Sequence, residues 1–83
     1  MTDSIILSRY EVARIIGLRA LQIDEGASPY VDITENDSSL HIATRELYER
    51  KLDVAVARGD SLHSVQQARF PKDLEVIVHT LGD

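Results

Sequence analysis

The chain has 83 residues, a formal net charge of −5 and no cysteine. This length suits a single domain, 1–83, with a small core. The composition excludes disulfides and thiolate zinc sites, the acidic balance argues against non-specific binding to nucleic acid, and no apolar run approaches the about 20 residues of a membrane span. We therefore expect a soluble intracellular domain with no membrane partner.

The first predicted helix follows a short leader, residues 1–7, which is too short and too acidic for a signal peptide. Ser8 and Glu11 have the spacing of a capping box, in which each side chain binds the backbone N–H of the other residue. Gly26 suits the left-handed conformation that ends many helices. The pattern predicts a long helix over about 9–25, with both ends specified by sequence.

This helix carries more apolar surface than its own domain can cover. Apolar residues occupy about half of its circumference, and Ile15 and Leu18 lie on the opposite side. Either these two are scattered surface side chains, or the helix is wrapped by apolar partners on both sides. Gly17, in mid-helix, indicates a close approach of a partner's backbone or of the chain's own strand. We expect this helix to pack on a partner.

A short strand over 30–34 and a second helix over 39–51 are predicted next. Asp37 or Ser38 could cap this helix. Its charged outer face is expected to carry Glu46 and Arg50 at a favourable i, i+4 spacing. The apolar stripe of the helix consists of Leu40, Ala43 and Leu47.

The last third of the chain has weaker patterns. Residues 54–57 predict a short buried strand that ends at Gly59–Asp60, and residues 74–81 predict a final strand. Residues 61–69 suit either one helical turn or an irregular loop. The expected order is therefore helix, strand, helix, strand and a final strand, which makes a small α+β domain with two main helices and a few short strands.

No pattern of catalytic or metal-binding residues is found. His41, His63 and His79 are far apart in sequence, and there is no nucleophile elbow, phosphate loop or buried carboxylate pair. About a dozen residues separate the two helices, which is too many for a helix-turn-helix. We expect no catalytic residue, cofactor, metal or small-molecule substrate, and no direct reading of DNA.

Two blocks of residues carry a family resemblance. The first reads L-S-x-Y-E-x-A-R-I-I-G-x-R-A-x-Q-I from Leu7 to Ile23, followed by Gly-Ala-Ser-Pro, and the second is I-A-x-x-E-L from Ile42 to Leu47. On these residues the chain resembles the small subunit of multisubunit RNA polymerases that is called omega in bacteria and subunit K in archaea. The similarity defines a family core, 8–58, and a divergent C-terminal tail, 59–83.

The resemblance implies a non-catalytic subunit of DNA-directed RNA polymerase. Such a subunit binds the largest polymerase subunit, promotes assembly and stability of the complex, and reaches DNA only through it. The lack of a long acidic N-terminal extension favours an archaeal or virus-encoded member, located in the cytoplasm of the archaeal cell or infected host; a eukaryotic member would be nuclear.

The resemblance also implies where the partner binds. Arg14 and Arg19 are expected to pair with carboxylates or backbone carbonyls of the partner. The residues carried over as the partner interface are Tyr10, Arg14, Ile15, Gly17, Leu18, Arg19, Gln22, Gly26 and Ala27.

A different class of function also fits the first helix. The chain could be a free-standing dimeric adaptor or an antitoxin-like regulator that uses this helix for self-association. That hypothesis predicts a stable homodimer in isolation, whereas the polymerase hypothesis predicts a monomer that needs its partner.

Overall fold

Two packed helices and one β-hairpin make up the computed structural model, which describes residues 5–75. The elements in chain order are helix α1 (Arg9–Asp24), helix α2 (Ser39–Tyr48), strands β1 (Ala55–Arg58) and β2 (Ser61–Ser64), and a 3-10 turn (Val65–Gln67). The two strands pair antiparallel. The predicted α+β class is confirmed.

Both ends of α1 are fixed by local hydrogen bonds. The Ser8 hydroxyl accepts from the Glu11 N–H at 3.1 Å, and the Ser8 N–H donates to a Glu11 carboxylate oxygen at 2.8 Å. At the other end Gly26 adopts a φ of 107°, and the Ala27 N–H donates to the Gln22 carbonyl at 2.9 Å, as in a Schellman motif. The helix predicted over 9–25 is therefore confirmed, and its C-terminal end differs by one residue.

The core lies between the two helices and is completed by both ends of the described chain. The Leu7 N–H donates to the Arg69 carbonyl at 2.9 Å, and the Arg69 N–H donates to the Ile5 carbonyl at 2.7 Å, so the segment before α1 is bound to the segment after the 3-10 turn. The buried apolar residues that form this core are Leu7, Val12, Ile16, Ala20, Ala43, Leu47, Leu52, Val65, Ala68 and Leu74.

Helix α2 starts where it was predicted and ends three residues earlier. Ser38 is its N-cap, because the Ser38 hydroxyl accepts from the His41 N–H at 3.2 Å. Arg50 follows the helix with a φ of 57°, which a non-glycine residue rarely adopts. Its guanidinium lies 4.4 Å from the centre of the Phe70 ring and donates to the Ala68 carbonyl at 2.7 Å. These contacts hold the chain in the conformation that terminates α2.

The strand predicted for residues 30–34 is wrong. These residues form a loop whose backbone groups bind side chains of α2 rather than a neighbouring strand. The Tyr30 N–H donates to a Glu46 carboxylate oxygen at 2.7 Å, and the Asp32 carbonyl accepts from the Arg45 guanidinium at 2.7 Å. Because side chains of α2 bind these backbone groups of the loop, residues 30–34 do not pair with a neighbouring strand, despite their alternating sequence.

The hairpin differs from its prediction in two ways. The predicted strand over 54–57 is found as β1, but it is not buried: only Val56 is partly buried, because this two-stranded hairpin covers one face alone. Residues 61–69, expected to be a helical turn or loop, contain β2 and then the 3-10 turn. Gly59, with a φ of 59°, takes the first position of the two-residue turn, as a type II′ turn requires. The final strand predicted for residues 74–81 lies outside the described residues except for the first two, which have helical backbone.

An ion pair joins the start of α1 to the end of β1 and should make stability depend on pH. The Arg58 guanidinium donates to both Glu11 carboxylate oxygens, at 2.6 and 3.0 Å, and lowers the pKa of Glu11 from 4.5 to about 2. A depressed folded-state pKa gives stabilisation that is fully present above about pH 4.5 and is lost as the pH falls towards 2.

We therefore expect the Glu11→Gln variant, which can keep the capping box, to be less stable than the wild type at neutral pH and nearly equal to it at pH 2. Urea unfolding of both proteins at several pH values measures this difference. All other carboxyl groups titrate in both proteins, so the difference isolates Glu11. A difference that stays constant from pH 5 to pH 2 would contradict the role given to this pair.

Candidate protein-binding groove

A groove of about 730 Å³ runs between the outer side of α1 and the segment 51–57, which includes most of β1. Six of the nine residues predicted as a partner interface line it together: Tyr10, Arg14, Ile15, Leu18, Arg19 and Gln22. Gly17 is exposed on α1 but is not part of the lining, and Gly26 and Ala27 lie in the motif that ends the helix. We refer to this feature as the α1 groove.

The walls of the α1 groove expose large apolar side chains. Tyr10 is 70% exposed, Tyr30 58%, Leu18 51% and Val54 45%. These residues come from α1, from the loop after it and from the chain before β1, so the apolar surface is continuous across segments that are distant in sequence. Covering such surface contributes about 25 cal/mol per Å². A contiguous exposed apolar surface of this kind is typical of a protein-binding site.

Charged side chains lie along the same groove. Arg14 and Lys51 are exposed in its lining, and neither forms an ion pair with another described residue. Within residues 5–75, the only hydrogen-bond partner of the Arg14 guanidinium is the Tyr10 hydroxyl at 3.4 Å, which is too long for a strong hydrogen bond. Both cations are therefore free to meet acidic groups of a partner.

A buried ion pair lies beneath the groove and connects the two helices. The Arg19 guanidinium donates to both Glu46 carboxylate oxygens, at 2.5 and 3.2 Å. Arg19 is 6% exposed and Glu46 is fully buried. The carboxylate raises the pKa of Arg19 above its ordinary value, mainly through the hydrogen bond. The paired, bidentate geometry makes the burial of two charges tolerable at this site.

The same pair positions the loop that follows α1. Arg19 also donates to the Ser28 carbonyl at 2.9 Å, and its guanidinium lies 4.4 Å from the centre of the Tyr30 ring. Glu46 binds the Tyr30 N–H on the other side, as described above. Tyr30 is thus held between the two charged groups, with its ring presented to the groove.

This arrangement corrects two expectations. Glu46 was expected on the outer face of α2 beside Arg50, and it is instead in the core with Arg19 as its partner. Arg19 was expected to pair with a partner protein, but its donors are occupied within the chain, so we assign it to the support of the groove. Sequence spacing contained a signal for this pair: Arg19 follows Val12 and Ile16 on the buried stripe of α1.

Gly17 has open space around it. A Cβ atom built at this position would meet nothing within 4 Å among the described residues. The explanation that Gly17 allows close packing of the chain's own strand is therefore wrong for residues 5–75. The close approach of a partner's backbone to Gly17 stays a prediction.

In the part of the chain that the structure describes, no group of three or more His, Asp or Glu side chains could hold a metal ion. Neither of the helices within residues 5–75 combines the length and apolar character needed to cross a membrane.

Comparisons with known proteins agree with the sequence resemblance. A family model described as RNA polymerase Rpb6 matches residues 3–54. The chain is 46% identical over 52 residues to DNA-directed RNA polymerase subunit Rpo6 of Methanothermobacter thermautotrophicus, covering 63% of this chain and 85% of that protein. It is 50% identical over 72 residues to Rpo6 of Pyrobaculum aerophilum, and the match covers 84% of this chain and 68% of that protein. A subunit shared by yeast RNA polymerases I, II and III, RPABC2 of Saccharomyces cerevisiae, is 42% identical over 52 residues, which span 63% of this chain but only 34% of that relative.

Proposed function

This chain belongs to the RNA polymerase Rpb6 family, and from that premise we propose that it is a non-catalytic subunit of a DNA-directed RNA polymerase. We propose further that it binds the largest subunit through the α1 groove and promotes assembly and stability of the complex. It would be found where that polymerase acts, in the cytoplasm of an archaeal or virus-infected cell or in the nucleus of a eukaryotic cell.

The observation that carries the proposal is the exposure of apolar surface on a helix whose inner side is already packed. Leu18 is half exposed, although it lies at the centre of the family-matched helix. Burying an aliphatic side chain completely is worth about 1.5–3 kcal/mol, and a few such central residues dominate the affinity of most interfaces. An accessory subunit acts by binding, and this surface offers binding without any catalytic group.

Site-specific cross-linking tests which subunit lies in the groove. A photo-activatable amino acid at Leu18 should cross-link to the largest polymerase subunit in cells. The same group at Ile33, which is 50% exposed but does not line the groove, serves as the matched control. Cross-links from position 18 to a different subunit, or only to a second copy of this chain, would refute the proposed contact; the second result would instead support the dimeric adaptor.

Substitutions at Gly17 should separate an effect on the stability of the isolated chain from an effect on binding to the polymerase. Replacing it by alanine should stabilise the isolated chain by about 0.5–1 kcal/mol, because glycine is a poor helix former and the position has room. The Gly17→Leu variant, with its larger side chain, should still fold but should enter the polymerase less efficiently than the Gly17→Ala variant. Urea unfolding and competition between tagged variants measure the two effects. Equal incorporation of both variants would show that no partner backbone approaches Gly17.

A further inference from the structure

The free edge of β1 faces the α1 groove. In the hairpin register, Val56 opposes His63 and Arg58 opposes Ser61. The Val65 N–H donates to the Val54 carbonyl at 2.9 Å, which continues the same alternation. In a two-residue hairpin, residues 54, 56 and 58 are therefore the ones whose backbone groups point to β2.

Alternation then directs the backbone N–H and C=O groups of Ala55 and Ala57 away from β2. No hydrogen bond from outside the hairpin reaches these groups among residues 5–75. Both residues line the α1 groove, whereas no residue of β2 does. The groove thus contains a row of unpaired backbone donors and acceptors beside an apolar helix face.

Apart from the short length of β1, which has four residues, this edge lacks the features that usually prevent edge pairing. Natural edge strands are protected by proline, lysine, bulges or a covering element. Here residues 54–57 read Val-Ala-Val-Ala, with an unbroken ladder, and Ala55 and Ala57 are exposed. Their small side chains leave space above and below an added strand. A sheet of only two strands also gains stability from a third.

We propose that an extended segment of the partner protein adds a third strand to the free edge of β1 inside the α1 groove, with apolar side chains against Leu18 and a carboxylate facing Arg14 or Lys51. This inference rests on the proposed function and specifies the chemistry of the occupant. Backbone hydrogen bonds to Ala55 and Ala57 give affinity, and alternate side chains give specificity.

The charges of the groove favour a partner segment over a second copy of the chain. Among the described residues, the unpaired charges of the lining are two cations, Arg14 and Lys51, against one carboxylate, Asp53, although the whole chain has a net charge of −5. The other two charged residues of the lining, Arg19 and Glu11, each form an ion pair within the chain. An acidic, apolar segment is complementary to this local charge. Two copies of an acidic chain repel each other on approach, so self-pairing along this edge is disfavoured.

Proline at position 57 tests the backbone contact. Ala57→Pro removes an N–H that β2 does not use, at a position of the kind where edge strands tolerate proline. The matched control is Ala57→Ser, which keeps the N–H and a small side chain. In competition for entry into the polymerase, Ala57→Pro should be recovered at least about tenfold less than wild type, and Ala57→Ser about equally.

Hydrogen exchange on the full chain gives a second readout. The Ala55 and Ala57 amides should exchange rapidly in the isolated chain and slowly in the purified polymerase. The Val56 and Arg58 amides, bound to β2, should be protected in both states and also in the isolated Ala57→Pro variant, which verifies that its hairpin is intact.

The outcomes separate this inference from the proposed function. Normal incorporation of Ala57→Pro, or rapid exchange at Ala57 in the polymerase, overturns strand addition, while cross-links from Leu18 to the largest subunit would still support the groove. Concentration-dependent protection of Ala57 in the isolated chain would assign the edge to a second copy and also overturn the proposal. Failure of the wild-type chain to enter any polymerase would refute both.

Discussion

Replacing Glu46 by alanine is expected to destabilise the isolated chain by about 3–5 kcal/mol. The variant leaves the Arg19 charge buried at 6% exposure without its carboxylate, and the Tyr30 N–H loses its acceptor. A domain of this size has a free energy of unfolding of roughly 4–12 kcal/mol, so the variant should lose at least about a quarter of its stability and would be unfolded if the wild type lies at the low end of this range. Urea unfolding followed by far-UV circular dichroism measures the loss.

Two controls make this result specific to the pair. Glu35→Ala removes an exposed carboxylate from the neighbouring loop and should change the free energy of unfolding by less than about 0.5 kcal/mol. The double variant Arg19→Met, Glu46→Leu removes both charges and should recover much of the lost stability, since apolar replacements of buried pairs are often neutral. A Glu46→Ala variant within about 1 kcal/mol of wild type would show that the pair does not hold the helices together.

Replacing Leu18 by glutamate is expected to prevent incorporation into the polymerase while leaving the fold intact. Leu18 is 51% exposed, and glutamate forms helices nearly as well as leucine, so the isolated chain should lose little stability. In the complex the charge would be buried in an apolar contact at a cost of 2 kcal/mol or more, which corresponds to at least about 30-fold weaker binding.

Competition between tagged wild-type and variant chains in the native host measures this effect. The Ile33→Glu variant introduces the same charge at the same degree of exposure outside the groove, and it should be incorporated normally. If Leu18→Glu and Ile33→Glu enter the polymerase equally well, the α1 groove is not the binding surface.

Local signals in the sequence were sufficient for the helices. The capping box at Ser8 and Glu11 and the glycine at position 26 act within a few residues of each other, so they determine the bounds of α1 without tertiary contacts. The start of α2 follows from Ser38 in the same way, because cap geometry is also local. Its end was missed because Arg50 terminates the helix through contacts with residues 66–70, which are distant in sequence.

The strand predictions failed where long-range contacts decide the structure. Residues 30–34 alternate like a strand but are bound by Glu46 and Arg45, and the pattern could not show that these side chains replace a ladder. Strand β2 was missed because Ser61–Ser64 has only one large apolar residue, Leu62, and pairs because the Gly59 turn brings it beside β1.

Part of the candidate site was predictable from local patterns in the sequence, and the rest depends on contacts between distant segments. Helical periodicity alone identified Ile15 and Leu18 as excess apolar surface, and both line the groove. Only Leu18 is exposed, because Ile15 is partly buried against the chain's own core. The opposite wall, residues 51–57, could not be identified, since it depends on how the hairpin folds back towards α1. The burial of Arg19 required knowing which residue of α2 faces it.

Whether the chain is a polymerase subunit is best measured by purifying the tagged chain from its native host and identifying the accompanying proteins by mass spectrometry. We expect the wild-type chain to recover the two largest RNA polymerase subunits in equimolar amounts, and the Leu18→Glu variant to recover neither. Recovery of the wild-type chain alone, as a homodimer, would refute both the polymerase assignment and the role of the α1 groove.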